Sequence, residues 1–211
     1  MDAYAYLAQI PSGEIKPVYP GARQAEIENT KNEKVKREKY YVWRLLEYAI
    51  SDIYGKSITE LEFTKLESGR WSTPFCEFSL SHTDGVVAVA ISQAPVGIDV
   101  ELLKPSVSEK TAARIMSDGE YGKYQTLTSP EKERFFFEVW TKKEAIFKSL
   151  HQQNFIPSHD YSDNKILTKT EEIVLTNSTV TLTVAVNCNE SEMIPTMSKK
   201  LTKNVDIVNC L

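Results

Sequence analysis

The stretch Arg37–Glu47, REKYYVWRLLE, returns 97 residues later as Arg134–Glu144, RFFFEVWTKKE, with Arg, Val, Trp and Glu in matching places. The same offset carries Val87, Ala88 and Val89 onto Val184, Ala185 and Val186. One unchanged shift that serves both a helical pattern and a later strand pattern predicts a duplicated unit. Two such copies related by a pseudo-twofold axis leave a cleft between them, a common place for a ligand.

Around the first copy, Tyr40, Trp43, Leu46 and Ile50 recur at spacings of three and four, and Glu26 to Asp52 holds neither Gly nor Pro. That predicts one amphipathic helix, basic through Lys31, Lys34, Lys36, Arg37, Lys39 and Arg44. Around the second, Ser129-Pro130-Glu131 supplies a hydroxyl cap, an early proline and an acid, so a helix is expected to about Leu150. Residues 2–10 read as a first strand. Phe75 to Leu80, Val86 to Ile91 and Val96 to Glu101 read as three strands of an antiparallel meander. A helix is expected within Ser106 to Asp118, and strands at Ile166 to Thr168, Glu172 to Leu175, Val180 to Val186 and, short, at Val205 to Val208. The halves divide at 1–104 and 105–211.

The chain has 211 residues, 41% hydrophobic and 26% charged, which excludes collagenous, low-complexity and wholly disordered classes. A net charge of -4 gives no global field to collect nucleic acid or an anionic membrane, so an anionic ligand must be held by local cations. Three cysteines, Cys76, Cys188 and Cys210, show no C-x-x-C spacing, which suggests neither a disulfide framework nor a zinc site and fits a reducing cytoplasm. No secretory leader and no membrane span are expected, because the opening Met1-Asp2 lacks a basic region and the run Val86 to Ile91 is short.

Three groupings can do chemistry. Asp99 and Glu101 alternate along a strand, so their carboxylates leave one face with Cα atoms about 6.6 Å apart. They are either a solvated strand face or, with a third acid, a site for a hard cation such as Mg2+. Glu144 and Lys148 share a helix face at i and i+4, the ordinary arrangement of a surface ion pair. Ser81-His82 follows a strand and precedes a glycine turn, where hydroxyl, imidazole and loop N–H groups can meet phosphate oxygens.

Taken in order, Phe78-Ser79-Leu80-Ser81-His82, Val96-Gly97-Ile98-Asp99-Val100-Glu101 and Trp140-Thr141-Lys142-Lys143-Glu144-Ala145-Ile146-Phe147-Lys148 resemble the 4'-phosphopantetheinyl transferase superfamily, specifically its larger single-chain (Sfp-type) branch. The resemblance runs from about Ile27 to Lys148, and more loosely to Val186. It implies an α+β fold of two similar halves about a pseudo-twofold axis, in agreement with the repeat. It also implies an enzyme that moves 4'-phosphopantetheine from coenzyme A to a serine of an apo acyl or peptidyl carrier protein and releases adenosine 3',5'-bisphosphate. By the same resemblance, Asp99, Glu101 and Glu144 hold Mg2+ on the pyrophosphate of coenzyme A, and Lys148 reaches the same phosphates. Ser81, His82 and Arg44 face the phosphates of the nucleotide end, and Lys143 serves either the phosphate or the helix surface. Glu144 or a hydroxide on the metal is the expected base. The duplication makes a monomer sufficient, and neither nucleic acid nor membrane is an expected partner. Two segments depart from the family pattern: Ser149-Leu150-His151, where many members have glycine, and Gly69-Arg70-Trp71-Ser72-Thr73-Pro74. The rival reading is a catalytically inactive homologue that binds coenzyme A, and the intact set of acids speaks against it.

Overall fold

The computed structural model describes residues 2–103, 107–161, 165–188 and 196–204. In chain order the elements are β1 (Asp2–Gln9), α1 (Gly21–Glu28), α2 (Glu33–Tyr54), β2 (Thr64–Lys65), β3 (Trp71–Ser72), β4 (Glu77–Thr83), β5 (Val86–Ser92) and β6 (Val96–Leu102). There follow α3 (Glu109–Ile115), α4 (Asp118–Gln125), α5 (Ser129–Ser149), β7 (Ile166–Val174), β8 (Thr179–Asn187) and β9 (Thr196–Asn204).

The helix expected from Glu26 to Asp52 is two helices. Asn32 breaks it, because its side chain accepts from the Val35 N–H and so caps a new start, while Gly55 at φ 64° ends α2 in the left-handed region. The face read from the spacing is the buried one: Tyr40, Trp43, Leu46 and Ile50 all enter the core. α5 begins on a capping box in which the Thr128 N–H and hydroxyl both donate to Glu131. α4 was not legible, since Gly119 and Gly122 dilute its pattern, although Ser117 and Glu120 form its own capping box.

β4 and β5 pair antiparallel as expected, around a turn with Gly85 at φ 79°. The three-stranded meander does not form. β1 occupies the other edge of β5, from Ala3 opposite Ser92 to Gln9 opposite Val86, so β6 finds no free edge there and pairs instead with β8. Ile166 to Val174 is one continuous strand rather than two. The sheet orders are β4-β5-β1-β9 and β6-β8-β7, besides the small β2-β3 pair. β9 lies parallel to β1, and the strand expected at Val205 to Val208 falls outside the described residues.

The repeat is therefore β-α-β-β: β1, α2, β4 and β5 correspond to β6, α5, β7 and β8, with β5 and β8 central. These are two similar α+β halves, each a small antiparallel sheet flanked by helices, as the duplication predicts. Val87, Val89 and Ile91 of β5 face α2, whereas Val86, Ala88 and Ala90 join Ile98, Val100, Leu182 and Val184 in a core shared by both sheets. Burial on both faces is why β5 reads as an unbroken apolar run.

α5 lies on the far side of the second sheet and touches β6 backbone to backbone. A Cβ on Gly97 would lie 1.8 Å from the Ala145 carbonyl oxygen and 2.7 Å from the Ser149 nitrogen. Only glycine allows this approach, which sets Lys148 beside Asp99. Gly97→Ala is expected to lower stability by about 3 kcal/mol, read as a fall in the urea midpoint at unchanged slope; an unaltered midpoint would contradict the close contact.

Candidate functional site

β4 and β6 are edge strands of different sheets, and they run side by side without backbone pairing. Alternate hydroxyls of β4 bridge them. Ser79 Oγ accepts from the Ile98 N–H at 3.1 Å, Ser81 Oγ accepts from the Val100 N–H at 3.3 Å, and Thr83 donates to Glu101 at 3.1 Å. Ser81 also donates to Asp99 Oδ1 at 2.8 Å. The two-residue period of both strands turns these side chains to one border.

Asp99 is 5% exposed. Its Oδ1 also accepts from Lys148 Nζ at 2.7 Å, while its buried Oδ2 has no hydrogen-bond partner among the described residues. Lys148 further donates to the Ile98 carbonyl at 3.1 Å. The Trp140 indole donates to Glu101 at 3.2 Å, which gives the motif tryptophan a part in orienting an acid. Burial raises the Glu144 carboxyl above the usual range; Lys148 opposes this, and the charges of Asp99 and Glu101 add to it. The fold thus brings Ser81, Asp99, Glu101, Glu144 and Lys148 together. Among the described residues no three His, Cys, Asp or Glu side chains already enclose a position for an ion. The donor set nonetheless suits a hard divalent cation: it is all carboxylate, one buried oxygen has no partner among the described residues, and Glu144, already raised by burial, is raised further by the charges of Asp99 and Glu101.

Lys148 also lines a cavity of about 410 Å3 between the halves. Trp71, Phe78, Leu80 and Phe147 give it apolar walls, and Arg23, Lys39, Arg70, His82 and His151 line it as well. Glu26, the one carboxylate in the lining among the described residues, organises the cations. It accepts from the Trp71 indole at 2.9 Å and Arg23 at 3.0 Å, with Lys39 and Lys65 each at 3.4 Å. Burial alone would push the Glu26 carboxyl up, but the indole and the cations outweigh it and bring it down to about 2. His82 Nδ1 lies 3.1 Å from the buried carboxylate of Glu38. His151, at the end of α5, takes φ 53° and pairs with Glu77 of β4 at 3.3 Å, where Arg70 also binds.

Two residues singled out in the sequence lie elsewhere. Lys143 is buried, and its ammonium binds Glu120 at 2.6 Å and the carbonyls of Pro157 and Ile115 at 2.8 and 3.0 Å, so it faces neither the cavity nor the helix surface. Arg44 pairs with Glu47 at 2.7 Å along α2 and does not line the cavity. Conversely Arg23, Glu26 and Glu38 escaped sequence reading. Lys39 stood within the basic run and Arg70 within the segment Gly69–Pro74, but nothing local marks Arg23 and Glu26 as cavity residues.

Residues 95–187 match the family model of the 4'-phosphopantetheinyl transferase superfamily. The 4'-phosphopantetheinyl transferase psf-1 of Bacillus pumilus is 32% identical over 107 residues, 49% of this chain and 46% of that protein. The 4'-phosphopantetheinyl transferase gsp of Aneurinibacillus migulanus is 34% identical over 109 residues, 51% and 46% of the two chains. The 4'-phosphopantetheinyl transferase HetI of Nostoc sp. is 35% identical over 74 residues, 34% and 31%. The chain spans about half the length of the first two relatives.

The lowered pKa of Glu26 makes it an acid-sensitive tie. Its contribution is complete above the ordinary carboxylate range and is lost as pH falls from about 4.5 through about 2. Glu26→Gln is expected to lose about 2 kcal/mol at neutral pH, because Arg23 keeps its burial without its counter-charge. The variant should also show a shallower decline of stability between pH 4.5 and 2, measured by urea unfolding across that range; parallel pH profiles would refute the assignment.

Proposed function

We propose, from the match of residues 95–187 to the family model and the likeness to its relatives, that this chain belongs to the 4'-phosphopantetheinyl transferase superfamily and transfers 4'-phosphopantetheine from coenzyme A to a serine of an apo acyl or peptidyl carrier protein. The larger single-chain branch is part of the proposal, supported by the β-α-β-β unit occurring twice in one chain, which also favours a monomer. Residues 1–104 then supply most of the cavity wall and residues 105–211 the helix α5 with Glu144 and Lys148. A reducing cytoplasm is the proposed compartment: among the described residues Cys76 and Cys188 are free thiols, and burial pushes Cys76 up to about 12.

The observation that carries the reading is Lys148, which lines the cationic cavity and also touches Asp99 beside the acids. A nucleotide's phosphates in that cavity would lie next to groups suited to the pyrophosphate. In the proposed reaction the serine oxygen forms a bond to the β-phosphorus, and the bond from that phosphorus to the bridging oxygen breaks. Adenosine 3',5'-bisphosphate leaves with the electron pair. Such transfers need little covalent help from a protein, so positioning and neutralisation of charge dominate. Lys148 and His82 hold phosphate oxygens, Ser81 keeps Asp99 in place through its own O–H, and Arg23, Lys39 and Arg70 bind the nucleotide end. Glu144 takes the serine proton. Asp99, Glu101 and Glu144 would hold Mg2+, which when bound neutralises charge on the pyrophosphate.

Lys143 is left a structural tie, and Arg44 acts only by supporting α2. Lys143→Ala is therefore expected to lower stability and Arg44→Ala to leave coenzyme A affinity near that of the wild type.

The test is mass spectrometry of apo carrier proteins incubated with the chain, coenzyme A and Mg2+, where a carrier heavier by one phosphopantetheine supports the proposal and unmodified carriers across an acyl and peptidyl panel oppose it. Stripping divalent cations should abolish transfer. Glu144→Gln is expected to slow single-turnover transfer at saturating coenzyme A by about 100-fold or more while coenzyme A still binds. A near-wild-type rate would remove Glu144 from the chemistry.

A further inference from the structure

Glu38 belongs to α2 and has no place in the transfer just described, yet it is a carboxylate only 5% exposed in the wall behind a cavity otherwise crowded with cations. Its Oε2 lies 3.1 Å from His82 Nδ1. A carboxylate only accepts hydrogen bonds, so Nδ1 carries the proton between them. The His82 ring is 37% exposed at the cavity, and its other nitrogen, Nε2, makes no hydrogen bond among the described residues. A neutral His82 therefore presents a lone pair, not a donor, to whatever anion enters. Burial and the neighbouring cations favour that neutral form. Partial burial lowers the imidazole from its ordinary value, Glu38 opposes this, and Lys148 of α5, Arg23 of α1 and Lys39 of α2 lower it further.

We infer that Glu38 is a positioning residue that fixes the Nδ1–H form of His82 and makes anion binding in the cavity proton-linked, with Nε2 taking up one proton from solvent as a phosphate arrives. A phosphate offsets the charge of Lys148, Arg23 and Lys39, so that the field of Glu38 prevails and the ring becomes an imidazolium bonded on both sides. No other bond forms or breaks. The inference rests on the nucleotide reading of the cavity and deepens it: Glu38 makes affinity depend on pH in a way that the arginines and lysines cannot. Because the bound imidazolium has the higher proton affinity, nucleotide affinity should rise as pH falls from about 8 to 6, by up to about tenfold per unit, and level off below the lowered pKa of the free protein.

Calorimetric titration of the full chain with adenosine 3',5'-bisphosphate at about pH 7, in two non-phosphate buffers of different ionisation enthalpy, counts the protons. Wild type should take up close to one proton more than His82→Gln, a difference that removes the nucleotide's own titration. Glu38→Gln keeps an acceptor for Nδ1–H but not the charge, so it should lose the extra proton and bind about tenfold more weakly. Imidazole nitrogen NMR of the unliganded wild type, with His82 assigned by its loss in His82→Gln, tests the same point should Glu38→Gln unfold. Neutral Nδ1–H supports the inference. A ring protonated at Nε2 overturns it, as does binding with equal proton uptake in all three proteins; either result leaves the cavity reading standing. Absence of binding in the wild type overturns both.

Discussion

Two edge strands joined through hydroxyls instead of backbone amides are the constraint on which the site depends. An edge strand carries N–H groups that need acceptors. In β6 those of Ile98 and Val100 are met by Ser79 and Ser81 of β4. A hydroxyl can accept from an amide and donate at the same time, and Ser81 does so, donating its O–H to Asp99. Direct pairing of β4 with β6 would have made one continuous sheet. The hydroxyl bridge instead keeps two sheets, lets them share an apolar core, and holds a carboxylate at their border within reach of α5.

The glycine at 97 completes the arrangement from the other side. Because α5 rests on the backbone of β6, Lys148 is close enough to bind both the Asp99 carboxylate and the Ile98 carbonyl. An ion pair this buried earns little stability by itself, since desolvation offsets much of the attraction. Its value is positional: it ties the acids of one border to the cavity of the other half.

The two copies of the repeat have gone separate ways in charge. In α2 the counterpart of Glu144 is Glu47, which is satisfied locally by Arg44. In α5 burial raises the proton affinity of the carboxylate, and two acids of β6 add to it. The cations of the first half are gathered around Glu26, and the acids of the second around the seam. A cavity between the halves thereby has a basic region and an acidic border, a division suited to the proposed handling of a nucleotide.

Local periodicity determined much of this protein. Alternation along Val96–Glu101 was enough to put Asp99 and Glu101 on one face, the i and i+4 spacing put Glu144 with Lys148, and the offset of 97 residues predicted two related halves. Those readings survive because a strand's period and a helix's period are properties of the backbone itself. Periodicity says which side chains share a face, but not what that face meets. Pairing β6 with β8 depended on β1 having taken the edge of β5, from the far end of the first half. Lys143 was drawn away by Glu120 and two carbonyls, while Arg23 and Glu26 entered the cavity wall from a helix that the sequence had merged with its neighbour. Such placements come from contacts between residues distant in the chain, where burial and charge compete across elements, and only the tertiary structure decides that competition.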